Sequence, residues 1–356
     1  MQDQIYCIHK VNLRFSTDSP ALSSAVKMLL SPFEQENLSE PIALEFVFKE
    51  VHNRSEIPFM VSSSAQMISS CSGRFFGDSL RVTWKCDFYR LMTIKIADLG
   101  EDGIMLIDHQ RGQVEGYLVN PDIRHPEVLA TFFYLALNEL LKKEGLYGLH
   151  AAAVEKDGHG FLFPGFSGSG KTTCCISLLN NGYRYISDDH VLLRENNAGF
   201  DILTFPIRLD NRIFLESFFQ ENHNRTEIAT LNATKKTISF FPQLTAAKGY
   251  PYQEEDKRFF FVEDISPYLP VDSSQVNYII FPKILDYPKS YLEHLPKSRA
   301  LEELLPQSLL VFDQDIARKH FHFLSHLVEK SECYRLHFGE DVLEFPQLID
   351  TLLANI

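Results

Sequence analysis

"GFLFPGFSGSGKTTCCISLLNNGY", residues 160–183, is the stretch whose reading decides the fold. The run "GFLFP" is strand-like and "CCISLLNNGY" is helix-like, and between them Gly165, Gly170, Lys171 and Thr172 satisfy G-x-x-x-x-G-K-[ST] in the strand–turn–helix setting that pattern needs. Small residues let successive backbone N–H groups turn inward as an anion nest, and a helix starting near Lys171 adds the positive end of its dipole. Both features favour phosphate. The Lys171 ammonium is placed to reach the β- and γ-phosphates of a nucleotide, and the Thr172 hydroxyl to ligate Mg²⁺. The candidate nucleotide-binding residues are therefore Gly165, Phe166, Ser167, Gly168, Ser169, Gly170, Lys171, Thr172 and Thr173, with ATP and Mg²⁺ as the expected ligands.

The rest of the composition bounds what surrounds this loop. A chain of 356 residues with 45% hydrophobic content is long enough for two domains, or one large α/β domain with an appendage. Its formal charge of −13 argues against a general nucleic-acid or anionic-membrane binder. Six cysteines fall without metal-type spacing, with Cys174 and Cys175 adjacent on the expected helix, one of them facing the core. Reduced thiols and a cytoplasmic location are the expectation. No signal-like layout opens the sequence, and no run approaches the roughly 18 apolar residues of a spanning helix.

Two textures divide the chain. Up to about residue 125, short alternating runs ("IYCIHKVNLRFST", "IALEFVFKEV", "SLRVTWKCDF", "LMTIKIADL", "GIMLIDH") accompany one helical stretch, "ALSSAVKMLLSPF". They predict a smaller α+β domain over 1–125, mostly antiparallel, with acceptor docking as a candidate role. From Pro126 a helical pattern runs to a stop at Gly145 and is expected to lead into the second domain, 126–356. There "YGLHAAAVEKDGHGFLFP" predicts two strands around Asp157-Gly158, followed by the loop, its helix and the strand "YRYISDDHVLL". The expected fold is an α/β phosphate-loop domain preceded by the α+β domain. Residues 233–275 are polar and weakly periodic, the pattern of a long loop or lid.

The end of that last strand carries the second candidate feature. Asp188 and Asp189 place two carboxylates on a strand neighbouring the loop, and beside Mg²⁺–ATP such a pair divides the labour. One carboxylate accepts the proton of an attacking hydroxyl and the other binds the metal or its water. A polar strand end is the alternative, and the nearby loop favours function.

"LHAAAVEKDGHGFLFPGFSGSGKTTCCISLLNNGYRYISDDHVLL" resembles the catalytic core of HPr kinase/phosphorylase and its divergent relatives, whose nucleotide domain is similar to that of phosphoenolpyruvate carboxykinases. The resemblance covers the C-terminal domain best and extends to the tail "CYRLHFGEDVLEFPQLIDTLL", with a strand, a turn at Gly339 and a closing helix. It implies one site made of His150, the loop Gly165–Thr172, and Asp188 with Asp189. Asp188 is the implied base, Thr172 and Asp189 hold Mg²⁺, Lys171 stabilises the transferring phosphoryl group, and His150 orients Asp188. "FPIRLDNR" keeps Ile207 and Arg208 of a downstream family signature but has Leu209 in place of glycine, so the implied client differs from HPr. Some relatives are encoded with peptide-modifying systems and phosphorylate serine of a precursor peptide.

The expected activity is ATP-dependent phosphoryl transfer to a hydroxyl, with serine of a peptide or protein as the leading acceptor. A nucleotide-dependent switch and a small-molecule kinase are the alternatives. Arg208 is a candidate phosphate contact, ahead of Arg212, through its planar guanidinium. Lys235 and Lys236 reach the phosphates only if their segment folds over the loop. His320, His322 and His326 share a predicted helix without an accompanying carboxylate motif, which favours an amphipathic surface helix over a metal site. The expected partners are nucleotide and acceptor, with neither nucleic acid nor membrane, and a homo-oligomer is compatible with the sequence.

Overall fold

The computed structural model describes residues 2–36, 41–76, 81–123, 126–166, 168–205, 212–216, 250–252, 257–261, 270–285, 287–308, 314–341 and 344–354. Two compact units emerge: Met1–Leu146 with Leu310–Ala317, and Tyr147–Leu309 with Arg318–Ile356.

The first unit is built on eight strands: β1 (Gln2–Ile8), β2 (Val11–Thr17), β3 (Leu44–Val51), β4 (Gln66–Phe76), β5 (Arg81–Leu91), β6 (Ile94–Asp98), β7 (Gly103–Asp108) and β8 (Gln113–Val119). They form one sheet in the order β1-β2-β3-β8-β7-β6-β5-β4. Only β2–β3 and β3–β8 run parallel, so the mostly antiparallel expectation matches what is observed. Helix α1 (Pro20–Leu30) starts where the Ser19 side chain accepts a hydrogen bond from the Leu22 N–H, and helix α2 (Pro126–Lys143) stops where Gly145 takes a φ of 75°.

Helix α2 belongs to this first unit. The sequence boundary at 125/126 therefore differs from the observed one at Leu146/Tyr147, and packing gives the reason: the Phe133 ring lies 5.3 Å from Phe15 and 5.1 Å from Phe46, both strand residues of the first sheet. The helix is buried nearly all round, from Val128 to Lys142. That burial includes charge. Lys142 Nζ donates to Glu139 Oε1 at 3.0 Å, His109 Nε2 lies 3.1 Å from Glu139 Oε2, and Lys95 Nζ lies 3.4 Å from the His109 ring nitrogens. Burial alone would push the Glu139 carboxyl up, but the Lys142 ammonium, with His109 and Lys95, holds it at about 2. Burial also pulls the Lys142 ammonium below its ordinary value in spite of Glu139.

The second unit opens with β9 (Tyr147–Lys156) and β10 (His159–Pro164), a hairpin turned at Asp157 and Gly158, both at positive φ. Helix α3 (Lys171–Leu179), β11 (Arg184–Ser187), β12 (His190–Asn196) and β13 (Gly199–Thr204) follow. Then come β14 (Arg212–Glu216), β15 (Tyr250–Tyr252), β16 (Lys257–Phe261), β17 (Ser273–Ile284), β18 (Tyr291–His294), α4 (Lys297–Leu304), α5 (Gln314–Lys330), β19 (Glu332–Phe338) and α6 (Phe345–Leu353). The main sheet has the order β10-β9-β12-β13-β17-β19-β18, with β11 paired to β9 and β10 also paired to β17. Strand β17 pairs in parallel with both β10 and β19, so all three carry their carboxyl ends to the same edge.

Alternation along β9 and β10 builds two cores. Ala152, Val154, Phe161 and Phe163 pack with Ile176 and Leu179 of α3 and Ile349 of α6, while Leu149, Ala151, Ala153 and Leu162 pack with Leu304 of α4 and Phe323 and Leu327 of α5. Both Cys174 and Cys175 are fully buried in the first of these cores, whereas only one of them was expected to face it. Burial pushes both thiols up. Of 233–275, expected as a long loop or lid, the segments 250–252 and 257–261 are strands joined with β14 in a three-stranded antiparallel sheet, while 233–249, 253–256 and 262–269 lie outside the described residues.

Candidate functional site

Strand β10 ends at Pro164 and helix α3 begins at Lys171, so the loop expected from the sequence lies between a strand and a helix. Two glycines shape it. A side chain on Gly165 would place its Cβ 2.5 Å from Ser169 Oγ, and Gly170, the residue capping α3, sits at φ 103°, where an L side chain is strained. Gly170, as the N-cap of α3, makes no side-chain cap, and the first turn of the helix adjoins the loop. Lys171 is buried on the helix side, and its Nζ donates to Gly165 O at 2.7 Å and Phe166 O at 3.1 Å. The ammonium thus lies across the loop mouth. Thr172 and Thr173 are half-buried on the first helical turn, while the Phe166 side chain is 63% exposed.

The carboxylates sit two strands away. Strands β11 and β12 both pair with β9, and the break between them is the Asp188-Asp189 turn, so the single strand read from "YRYISDDHVLL" is two. One residue of β9 ties the pieces together: Ala151 lies opposite Pro164 on one edge, and its N–H donates to Asp189 O at 2.9 Å on the other. Successive strands lie about 4.8 Å apart, which sets the acidic turn about 10 Å from the start of the loop.

The two carboxylates have different surroundings. Asp188 is only 5% exposed, and its Oδ1 accepts from the Tyr185 hydroxyl at 3.1 Å. Burial first, then the Asp188 charge, push the Tyr185 phenol well above its ordinary value, so it keeps its proton and donates. The Tyr185 ring whose hydroxyl donates to Asp188 belongs to the core shared with α3, and the Asp188 charge adds to burial in raising the Cys175 thiol there. The Asp189 side chain is 24% exposed. His150 Nε2 lies 3.0 Å from Asp189 Oδ1, and a carboxylate only accepts, so Nε2 carries the proton.

The expectation set His150 to orient Asp188; the hydrogen bond described for it is to Asp189. The reason is register. His150 stands directly opposite His190, the residue that follows Asp189. The His190 ring lies 5.3 Å from that of His150, and its Nε2 is 3.5 Å from Asp189 Oδ2. Tyr185 and His190 were missed in the sequence. Their only signal was position, three residues before Asp188 and one after Asp189.

Ser167, Arg208, Lys235 and Lys236 lie outside the described residues, and of Arg212 the backbone alone is described, as the first residue of β14. The helix histidines do not converge. His320 is buried beside the Tyr147 ring, His326 Nδ1 pairs with Glu195 Oε1 at 2.7 Å, and His322 sits beside Phe321. Among the described residues no group of three or more His, Cys, Asp or Glu side chains is arranged to hold a metal. Thr172 and Asp189 carry oxygen donors, the ligand type that Mg²⁺, a hard cation, takes alongside water and phosphate. No helix among the described residues is long and apolar enough to cross a membrane.

Residues 127–247, about a third of the chain, match the family described as "SynChlorMet cassette protein ScmC". No curated protein matches. Among solved structures, the HPr(Ser) kinase/phosphatase from Coxiella burnetii is similar over 58% of this chain and 94% of its own, at 13% identity and a TM-score of 0.26.

Proposed function

We propose that this chain is a Mg²⁺–ATP-dependent kinase that transfers the γ-phosphoryl group to a hydroxyl, with serine of a peptide or protein as the acceptor. The observation that carries this reading is the Ala151 connection, by which β9 links the end of β10, where the glycine-shaped loop begins, to the Asp188-Asp189 turn two strands away. Loop amides and Lys171 hold the β- and γ-phosphates. The Lys171 ammonium exchanges its two loop carbonyl partners for phosphate oxygens. Thr172 and Asp189 would hold Mg²⁺ together with water, and the ion would supply charge neutralisation for the transfer.

Asp188 takes the hydroxyl proton as the acceptor oxygen bonds to the γ-phosphorus. The bond between that phosphorus and its bridging oxygen breaks, and ADP leaves. Tyr185 orients this carboxylate, and burial keeps bulk water from competing for its proton. Asp189, more solvated and steadied by His150, suits a cation that keeps part of its water shell. A family described by its cassette fits an acceptor encoded alongside the kinase.

The test is incubation with γ-labelled ATP, Mg²⁺ and a panel of serine peptides and hydroxyl metabolites, with products read by mass spectrometry. Label on a peptide serine is expected. Label released only to water would instead support a nucleotide switch, and label on a metabolite a small-molecule kinase.

A further inference from the structure

The loop's outer flank is a built structure that the reading above does not use. Strands β17 and β19 end in register, Ile284 opposite Phe338, and both end residues abut the loop. A methyl on Gly170 would lie 3.3 Å from Ile284 Cγ1 and 3.4 Å from Phe338 Cδ1. Beyond these ends the two chain segments are cross-linked. Leu285 N donates to Phe338 O and Glu340 N to Tyr287 O, each at 2.9 Å. Asp341 Oδ1 accepts from Ser290 N at 2.7 Å and Ser290 Oγ at 2.5 Å, and Ser290 Oγ accepts from Gly339 N at 2.9 Å. Gly339 is pressed so closely that a Cβ would stand 2.7 Å from Tyr287 O. On this fixed rim the Tyr287 side chain is 58% exposed.

An aromatic ring held out to solvent by a cross-linked backbone, beside the carboxyl ends of parallel strands, has the form of a ligand wall. The phosphate loop occupies the adjoining position at the end of β10, so whatever extends sideways from its phosphates reaches this rim. We infer that Tyr287 and the 287–290/339–341 rim form the nucleoside subsite, with the base of the bound triphosphate stacked on the Tyr287 ring. The inference rests on the proposed triphosphate site at 165–173 and adds to it the part of the ligand that the loop itself does not read. Base–aromatic stacking contributes roughly tenfold or more to affinity. Ser290 acts at one remove, by holding Gly339 and Asp341 against the segment that carries the ring.

The experiment titrates the full chain with Mg²⁺–ATP and with Mg²⁺–tripolyphosphate, which has the phosphates but no nucleoside. Tyr287→Ala is expected to weaken ATP about tenfold and leave tripolyphosphate unchanged, while Tyr287→Phe restores ATP binding because it keeps the ring. Ser290→Ala should lower ATP affinity in the same selective way, to a smaller degree. Lys171→Ala should weaken both ligands, since it acts on the phosphates. An unchanged ATP-to-tripolyphosphate ratio in Tyr287→Ala overturns the subsite, as does loss of that ratio in Phe166→Ala instead. Failure of Lys171→Ala to affect tripolyphosphate would overturn the phosphate site beneath it, an outcome distinct from the first two.

Discussion

Asp188 and Asp189 are adjacent in sequence, yet they meet different partners, a phenol on one side and an imidazole on the other. That difference predicts separable phenotypes. Asp188→Asn should keep nucleotide binding and lose phosphoryl transfer by about 10²–10⁴, whereas Asp189→Asn should also raise the Mg²⁺ concentration needed for activity. A Mg²⁺ titration of both variants checks this, and identical curves would mean the roles are not divided as proposed. Tyr185→Phe removes only the hydroxyl that orients Asp188, so it should lower kcat with little change in the Mg²⁺ requirement. His150→Gln should move that requirement. The reverse pattern would exchange the two orienting residues. The acidic pair was legible in the sequence because it follows the loop at the end of an apolar run. Its partners were not, because the pairing of His150 depends on strand register, which one residue of slip would change.

At the scale of the element, the strand–loop–helix unit was the most legible part of the chain, since each signal is local: apolar residues into Pro164, glycines where the backbone turns, helix from Lys171. Gly170 is its most constrained residue. Gly170→Ala should cost about 1–2 kcal/mol from the left-handed backbone alone, and it should weaken ATP binding by crowding Ile284 and Phe338. Denaturant unfolding and ATP titration measure the two effects, and unchanged ATP affinity would show that the loop shape does not matter. Hairpin turns were read unevenly. Asp157-Gly158 announced itself, but β1 and β2 turn at His9 and Lys10, both at positive φ with no glycine between the strands, so "IYCIHKVNLRFST" looked like one run.

Helix α2 carries a prediction of its own through Glu139. The folded value of about 2 lies below the ordinary 4.5, so the stabilisation from this carboxylate is complete above pH about 4.5 and is lost as the pH falls toward 2. Melting temperature should drop steeply over that window, and Glu139→Gln should flatten the drop while costing about 3–5 kcal/mol at neutral pH, the scale of a broken buried pair. An unaltered acid profile in the variant would remove Glu139 from the account. Nothing in "ALNELLKK" told that its charges are buried, because Glu139 and Lys142 at i,i+3 look like an ordinary solvated pair.

For the whole molecule, the change of texture in the sequence at 125/126 lies about one helix before the division between the two compact units at Leu146/Tyr147. Texture follows local pattern, whereas the allegiance of α2 follows the faces that cover it, here Phe15 and Phe46 of the first sheet. With a net charge of −13, the proposed phosphate binding would depend locally on the loop and Lys171, against an unfavourable overall field. Everything proposed for the chain as a kinase depends on that local site. Titration of Mg²⁺–ATP into the intact protein and into Lys171→Ala tests it most directly. A charged hydrogen-bond donor lost from a phosphate site should weaken binding by about 10–100-fold, with the circular dichroism and melting profile of the variant close to those of the parent. Equal ATP affinity in the two proteins would contradict the account at its centre.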